Sequence, residues 1–261
     1  MSATTKFAPG RRDFLKQSGA IVVGFSLASA AAYGQQAAPL PGSLNTNRML
    51  DGWLRINADG TVTVFTGKVE LGQGIVTALA QIAADELDVA YERIEMIPTD
   101  TFRSPNEGVT SGSQSVENSG TALHYAAAEA RDILLQLAAA RLGVAADKLT
   151  VTDGTVSAGA AKTTYWELAQ NANFKREASA RVKPKSPSRH QIIGKPIPRR
   201  DIPKKVTGGA AYVQDLRLPG MVFGRVVRPP SHRAVLESFD EAAVRKLPGV
   251  VAVVRDGSFL A

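Results

Sequence analysis

Two short runs rich in glycine and hydroxyl side chains hold most of the chemistry this sequence could perform. The first, Gly67-Lys68-Val69-Glu70-Leu71-Gly72-Gln73-Gly74, reads as a strand feeding a helix N-terminus through closely spaced glycines. Backbone N–H groups left free at such a junction, with the helix dipole behind them, can hold an anion or an oxo group. Gln73 adds an amide that both donates and accepts. The run is not a Walker loop, because no Lys-Ser/Thr follows the second glycine. It is not a G-x-G-x-x-G turn either, because Thr77 stands where the third glycine would be. The second run, Thr110-Ser111-Gly112-Ser113-Gln114-Ser115, puts four hydroxyls just ahead of another helix, where they and the unpaired N–H groups could cradle a phosphate or a polar heterocycle. Taken singly, each run is read first as a helix cap and a tight turn. No set of side chains reads as a metal site, since His124, His190 and His232 are widely scattered and cysteine is absent.

The elements that must position these runs follow from periodicity. Residues 53–57 and 61–65 alternate about Asp59-Gly60, a hairpin signal. After Gly74, apolar residues at Ile75, Leu79, Ile82, Ala83 and Leu87 share one helical face. Residues 94–97 make a short strand closed by Pro98, and 99–115 are polar and aperiodic. An Ala-rich helix runs from about 114 to 142 and stops at Gly143. Residues 149–151 and 155–157 flank a second hairpin at Asp153-Gly154, and 165–172 form a short helix. The result is an α+β unit over 48–174 with mostly hairpin connections. In a second unit, 206–261, strands are expected at 221–228 and 250–254 and a short helix at 240–246.

Composition narrows the chemistry further. The 261 residues include no Cys, which removes disulfides, Cys-ligated zinc, covalent haem, iron–sulfur clusters and thiol nucleophiles from this chain. The net charge of +7 is unevenly spread: residues 35–174 carry −7, whereas 175–205 carry +9 from eleven basic and two acidic side chains. Five prolines lie in that basic stretch, so it reads as an ordered or semi-rigid linker and no nucleic-acid partner is expected. Residues 1–35 read as an export signal: Arg11-Arg12-Asp13-Phe14-Leu15-Lys16 precedes an apolar run over 20–32, short of the roughly twenty residues a membrane span needs. It resembles twin-arginine signals, with Gly10 where Ser or Thr is usual, and so implies a periplasmic protein exported after folding.

Taken together, Val69-Glu70-Leu71-Gly72-Gln73-Gly74, with Ala80-Gln81-Ile82-Ala83 on the following helix, and 94–120, ending Thr110-Ser111-Gly112-Ser113-Gln114-Ser115-Val116-Glu117-Asn118-Ser119-Gly120, resemble the molybdopterin-binding large subunits of the xanthine dehydrogenase and aldehyde oxidase superfamily. Within that superfamily the chain resembles the exported, isoquinoline 1-oxidoreductase-like beta subunits. The stretch Val206-Thr207-Gly208-Gly209-Ala210-Ala211-Tyr212-Val213-Gln214-Asp215 and the later Leu247-Pro248-Gly249-Val250 resemble the family's a/b hammerhead domain, incomplete here at its C-terminus. By this resemblance Gln73 is the catalytic-site residue, donating to an oxo ligand of molybdenum. Gly72, Gly74, Thr110, Ser113 and Ser115 contact the pterin, and Gly112 lets the backbone approach. The cofactor implied is molybdopterin with molybdenum, the cytosine dinucleotide being one form it takes. The partners implied are a two-iron two-sulfur small subunit and a c-type cytochrome.

The resemblance implies an oxidoreductase that hydroxylates aldehydes or N-heterocyclic aromatics with oxygen from water. Family large subunits continue well beyond the hammerhead, and the general-base Glu belongs to that later part, so this chain is expected to be an N-terminal portion. Glu70 is not at the base's position. A non-catalytic periplasmic binding or scaffold protein, whose Gly/Ser loops only build turns, is the alternative.

Overall fold

The computed structural model describes residues 39–111 and 114–261, so the export signal read over 1–35 and the cofactor contacts expected of Gly112 and Ser113 lie outside the described residues. The chain divides into two compact units, Met1–Arg200 and Asp201–Ala261.

In the first unit β1 (Leu54–Ile56) pairs antiparallel with β2 (Val62–Val64), with Leu54 opposite Val64. Helix α1 (Ile75–Leu87) then leads to β3 (Ile94–Met96), which lies parallel to β2. A parallel pair cannot be closed by a tight turn, so α1, the helix expected after Gly74, is the crossover between them. The central strand is buried along all three residues, and Thr63 is tolerated there because its hydroxyl accepts from the Asn57 amide at 2.9 Å. The second long helix begins with a single π-helical turn, Ser115–Gly120, and continues as α2 (Thr121–Leu142), ending at Gly143 in the left-handed region. Helix α1 packs on β3 and against α2, in one core that includes Trp53, Leu79, Leu87, Leu123 and Leu134.

A second sheet, β4 (Thr150–Thr152), β5 (Thr155–Ala158) and β6 (Ala161–Thr164), is an antiparallel meander turning at Asp153-Gly154. Strand β6 was not read from the sequence, because Ala161-Lys162-Thr163-Thr164 shows too little apolar alternation. It runs directly into α3 (Tyr165–Leu168), started by a capping box between Thr164 and Glu167.

The basic, Pro-rich stretch departs from the expected linker, because as far as Arg200 it belongs to the first compact unit. Prolines prevent it from forming a ladder of its own, and its N–H groups go to buried carboxylates instead. Asp85, 3% exposed on α1, accepts from the N–H groups of Gln191, Ile192 and Ile193 at 2.8–3.1 Å. Glu86 accepts from Lys185 N at 2.9 Å, and Glu129 on α2 accepts from Ser179 N at 2.8 Å. The Lys185 ammonium donates to the Asp85 carbonyl and to Asp88.

The second unit contains α4 (Ile202–Val206), α5 (Glu241–Arg245) and a hairpin of two-residue strands, β7 (Arg255–Asp256) with β8 (Phe259–Leu260). The strands expected at 221–228 and 250–254 are not formed, and no residue of this unit is buried. Isolated bonds from Val227 N to Leu260 O and between Val254 and Ala261 replace a ladder. Extended segments without a buried face or paired neighbours have nothing to fix their register. Among the described residues no helix is long and apolar enough to cross a membrane.

Candidate functional site

The loop Thr66–Gly74, between β2 and α1, and the polar loop over 99–111 fold against each other in the first unit. Their junction is built on Glu107. One oxygen of its carboxylate accepts from Gly67 N at 2.7 Å, the Thr66 hydroxyl at 3.0 Å and the Ser119 hydroxyl at 2.9 Å. Ser119 belongs to the π-helical turn, which ties that irregularity to the loops. In the opposite sense Lys68, 1% exposed, donates to the carbonyls of Glu107 at 2.8 Å and Val109 at 3.0 Å. Gly67 is required by this approach, since a Cβ there would lie 2.2 Å from the Pro105 carbonyl oxygen. The polar loop makes its own turn at Asp100, whose carboxyl is held below the ordinary range by the N–H of Phe102 and then that of Arg103.

The backbone of Val69 joins the two runs singled out in the sequence. Its N–H donates to the Thr110 hydroxyl at 2.9 Å, and its carbonyl accepts from Gln73 Nε2 at 3.0 Å. Gln73 Oε1 accepts from Leu71 N at 2.6 Å, so the side chain folds back over its own loop and remains solvent-exposed. A primary amide carries two N–H donors. One goes to Val69, and among the described residues nothing takes the other.

Gly72 and Gly74 differ from the open anion cradle expected of them. Glu70 Oε1 accepts from Gly72 N at 2.8 Å and Gly74 N at 2.9 Å, and Oε2 from Val76 N at 3.2 Å. The start of α1 is therefore capped by the chain's own carboxylate, which stands where an external anion would. What Gly72 offers instead is room: it sits at φ +107°, and a Cβ built there would meet nothing within 4 Å. Ser115 is buried at the start of the π-helical turn.

Sequence reasoning missed Glu107, Lys68 and the cap made by Glu70. Only Glu70 left a signal, an acidic residue four positions ahead of the glycine that starts a helix. It also treated the histidines as scattered. His124 and His190 in fact lie with ring centroids 5.6 Å apart, and His124 Nε2 is 2.9 Å from buried Glu86. Even so, among the described residues no three His, Cys, Asp or Glu side chains converge as a metal site.

The side-chain donors left at these loops are a spare amide N–H at Gln73 and the Thr110 and Ser111 hydroxyls, beside the space over Gly72. That set suits a flat, hydrogen-bonding heterocycle bearing oxo groups, and so fits a molybdopterin. It does not offer a bare phosphate the N–H groups of Gly72 and Gly74, because Glu70 already holds them.

The family model of the molybdopterin cofactor-binding domain matches residues 8–196. Over 211 residues the chain is 42% identical to one of the subunits of the nicotinate dehydrogenase of Pseudomonas putida, a match covering 77% of this chain and 18% of that protein. It is 31% identical to the beta subunit of the isoquinoline 1-oxidoreductase of Brevundimonas diminuta, covering 92% of this chain and 36% of that one. It is 32% identical to a membrane-bound, pyrroloquinoline-quinone aldehyde dehydrogenase of Gluconacetobacter polyoxogenes, covering 92% and 32%. The chain thus spans 18% to 36% of the length of these relatives.

Proposed function

The chain belongs to the molybdopterin cofactor-binding domain family, and from that premise we propose that it supplies cofactor-facing loops of a molybdenum hydroxylase large subunit. The observation that carries this reading is the Val69 backbone. Its N–H holds the Thr110 hydroxyl and its carbonyl holds the Gln73 amide, which ties the two side chains to one residue near the space over Gly72 and supports this reading. When bound, a molybdopterin supplies the redox chemistry, a two-electron oxidation of an electron-poor carbon with oxygen drawn from water.

The chain's own residues bind and orient. Gln73 donates its second amide hydrogen toward an oxygen acceptor of the group, while the bonds to Val69 and Leu71 fix the direction of that donation. Thr110 accepts from Val69 N, which leaves its own hydrogen to donate outward. The contacts proposed for Ser115, Gly112 and Ser113 rest on the resemblance alone, Ser115 being buried at the start of the π-helical turn and the other two lying outside the described residues. Gly72 and Gly74 contribute shape, their N–H groups being engaged by Glu70.

The substrate class we propose is N-heterocyclic aromatics or aldehydes, following the names of the relatives. With no Cys in the sequence, electrons would leave through an iron–sulfur subunit and a cytochrome. The second unit is proposed as hammerhead sequence, the pterin as the cytosine dinucleotide form, and the setting as periplasmic, reached by the twin-arginine route. The binding or scaffold alternative is favoured by one observation, that Glu70 already closes the helix-start donors.

The test is molybdenum and released pterin per polypeptide on the full complex, followed by Gln73→Ala. About one of each per chain is expected, and the variant should keep its fold while turnover falls on the order of 10- to 100-fold. Absence of both in a folded complex from molybdate-supplied cells would leave the binding-protein reading standing. Unchanged turnover and cofactor content in Gln73→Ala would remove the role given to Gln73.

A further inference from the structure

We propose that Glu70 and Arg199 are a pair of positioning residues that aim Gln73, and that the basic strap is the support from which they act. The cofactor side of this inference rests on the proposed function. Its structural side does not.

Gln73 is fixed through both of its neighbours. Arg199 Nη1 donates to the Gly72 carbonyl at 2.8 Å, and Glu70 holds the N–H groups of Gly72 and Gly74. Arg199 Nη2 lies 3.5 Å from Glu70 Oε1, so one guanidinium spans the carbonyl and the carboxylate that organise the turn. The same side chain lies along Gly74: a Cβ built there would sit 3.5 Å from Arg199 Cδ and Nε. Glu70 is 14% exposed and Arg199 32%, which keeps the pair partly out of water, where charged hydrogen bonds are stronger.

Arg199 is itself anchored by the next residue. Arg200 N donates to the Thr77 hydroxyl at 3.1 Å, its guanidinium donates to the carbonyls of Tyr91 and Ile94, and it stacks 4.0 Å above the Tyr91 ring. The end of the strap is thereby fixed to the helix that follows Gly74 and to the approach of β3. Lys at 199 could bond the Gly72 carbonyl, but it lacks the planar fork needed to face the carboxylate at the same time.

The experiment is hydrogen exchange by mass spectrometry on the full chain in its complex, comparing wild type, Arg199→Ala, Arg199→Lys, Glu70→Gln and a control, Arg181→Ala. In each, molybdenum content, kcat and KM are also measured. In Arg199→Ala, exchange over 69–76 should rise about tenfold or more, with 80–87 and 183–193 unchanged. The kcat should fall about tenfold at little changed KM. Arg199→Lys should recover part of both effects, and Arg181→Ala should match wild type. Unchanged exchange over 69–76 in Arg199→Ala overturns the proposal. So does a rise spread equally over the strap and α1, which would make Arg199 a general staple. If wild type carries no molybdenum, the functional reading fails while the exchange result still decides the pair. If Gln73→Ala impairs turnover and neither Arg199→Ala nor Glu70→Gln does, the positioning role fails while the functional reading stands.

Discussion

Glu107 draws a backbone N–H and two hydroxyls onto one carboxylate oxygen, while buried Lys68 spends its donors on two carbonyls of the same loop. The two loops of the site are therefore joined by polar bonds rather than by an apolar contact. Deleting a shared acceptor strands several donors at once. Glu107→Ala leaves Gly67 N without a partner, whereas Thr66 and Ser119, with hydroxyls 3.0 Å apart, can still bond each other. A loss of about 1–3 kcal/mol is expected from the midpoint of denaturant unfolding of the full chain. A loss indistinguishable from zero would mean that Glu107 does not brace the loops. None of this was legible in advance, since Lys68 and Glu107 lie far apart in a sequence without motif value for either. Gln73 and Thr110 stood out because glycine and hydroxyl clusters at helix starts restrict the chemistry they can serve.

The strap is the element where composition and structure part most clearly. Eleven basic residues and five prolines over 175–205 suggested a linker, yet acidic side chains on α1 and α2 capture its N–H groups. Composition reports side chains, and these contacts are made largely by the strap's backbone. The helices themselves were legible, α1 from its apolar face and α2 from its stop at Gly143. The π-helical turn was not, because nothing in Ser115–Gly120 distinguishes it from the first turns of an α-helix. Asp85 makes the strap's attachment sensitive to acid. Burial pushes its carboxyl up, but the N–H groups of Ile193, Ile192 and Gln191 and the charge of Lys185 outweigh this and hold it below the ordinary value. A carboxyl depressed in the folded state contributes stability above its unfolded pKa and loses it as pH falls through the folded one. Protection over 183–193, taken against the intrinsic exchange rate at each pH, should therefore be constant from neutral pH down to about pH 4 and fall below it, and Asp85→Asn should lower it already at neutral pH. A strap equally protected at pH 3 would show that Asp85 does not hold it.

At the scale of the whole molecule the two units differ in kind. The first has a continuous core from Leu40 through Ala178. The second has no buried residue and exposes Phe223, Val235, Val251 and Phe259 by 70% or more. Hydrophobic burial is the main term favouring a fold, so a segment that buries nothing opens readily. Among the described residues, limited trypsin digestion should cut first beyond Arg200, in the second unit, which begins at Asp201 and holds Lys204 and Lys205, and leave a protected fragment ending near that point. Equal resistance across 206–261 would mean that this segment buries its apolar side chains in solution. The α+β character of the first unit was readable because its periodic segments each face one core. Strands expected in the second rested on apolar runs that follow Pro-Gly turns and on the hammerhead resemblance, with no core for either run to face.

The carboxylate of Glu70 also has a meaning in terms of competition. It sits two and four residues from the amides of Gly72 and Gly74 that it serves, so it is tethered to them. A tethered ligand acts at an effective concentration on the order of millimolar or more, whatever the composition of the medium. Free phosphate or sulfate must displace that resident anion to occupy the turn. The amides of Gly72 and Gly74 therefore stay closed to small inorganic anions while the space over Gly72 stays open, a built-in preference that acts before any other side chain of the loop is engaged.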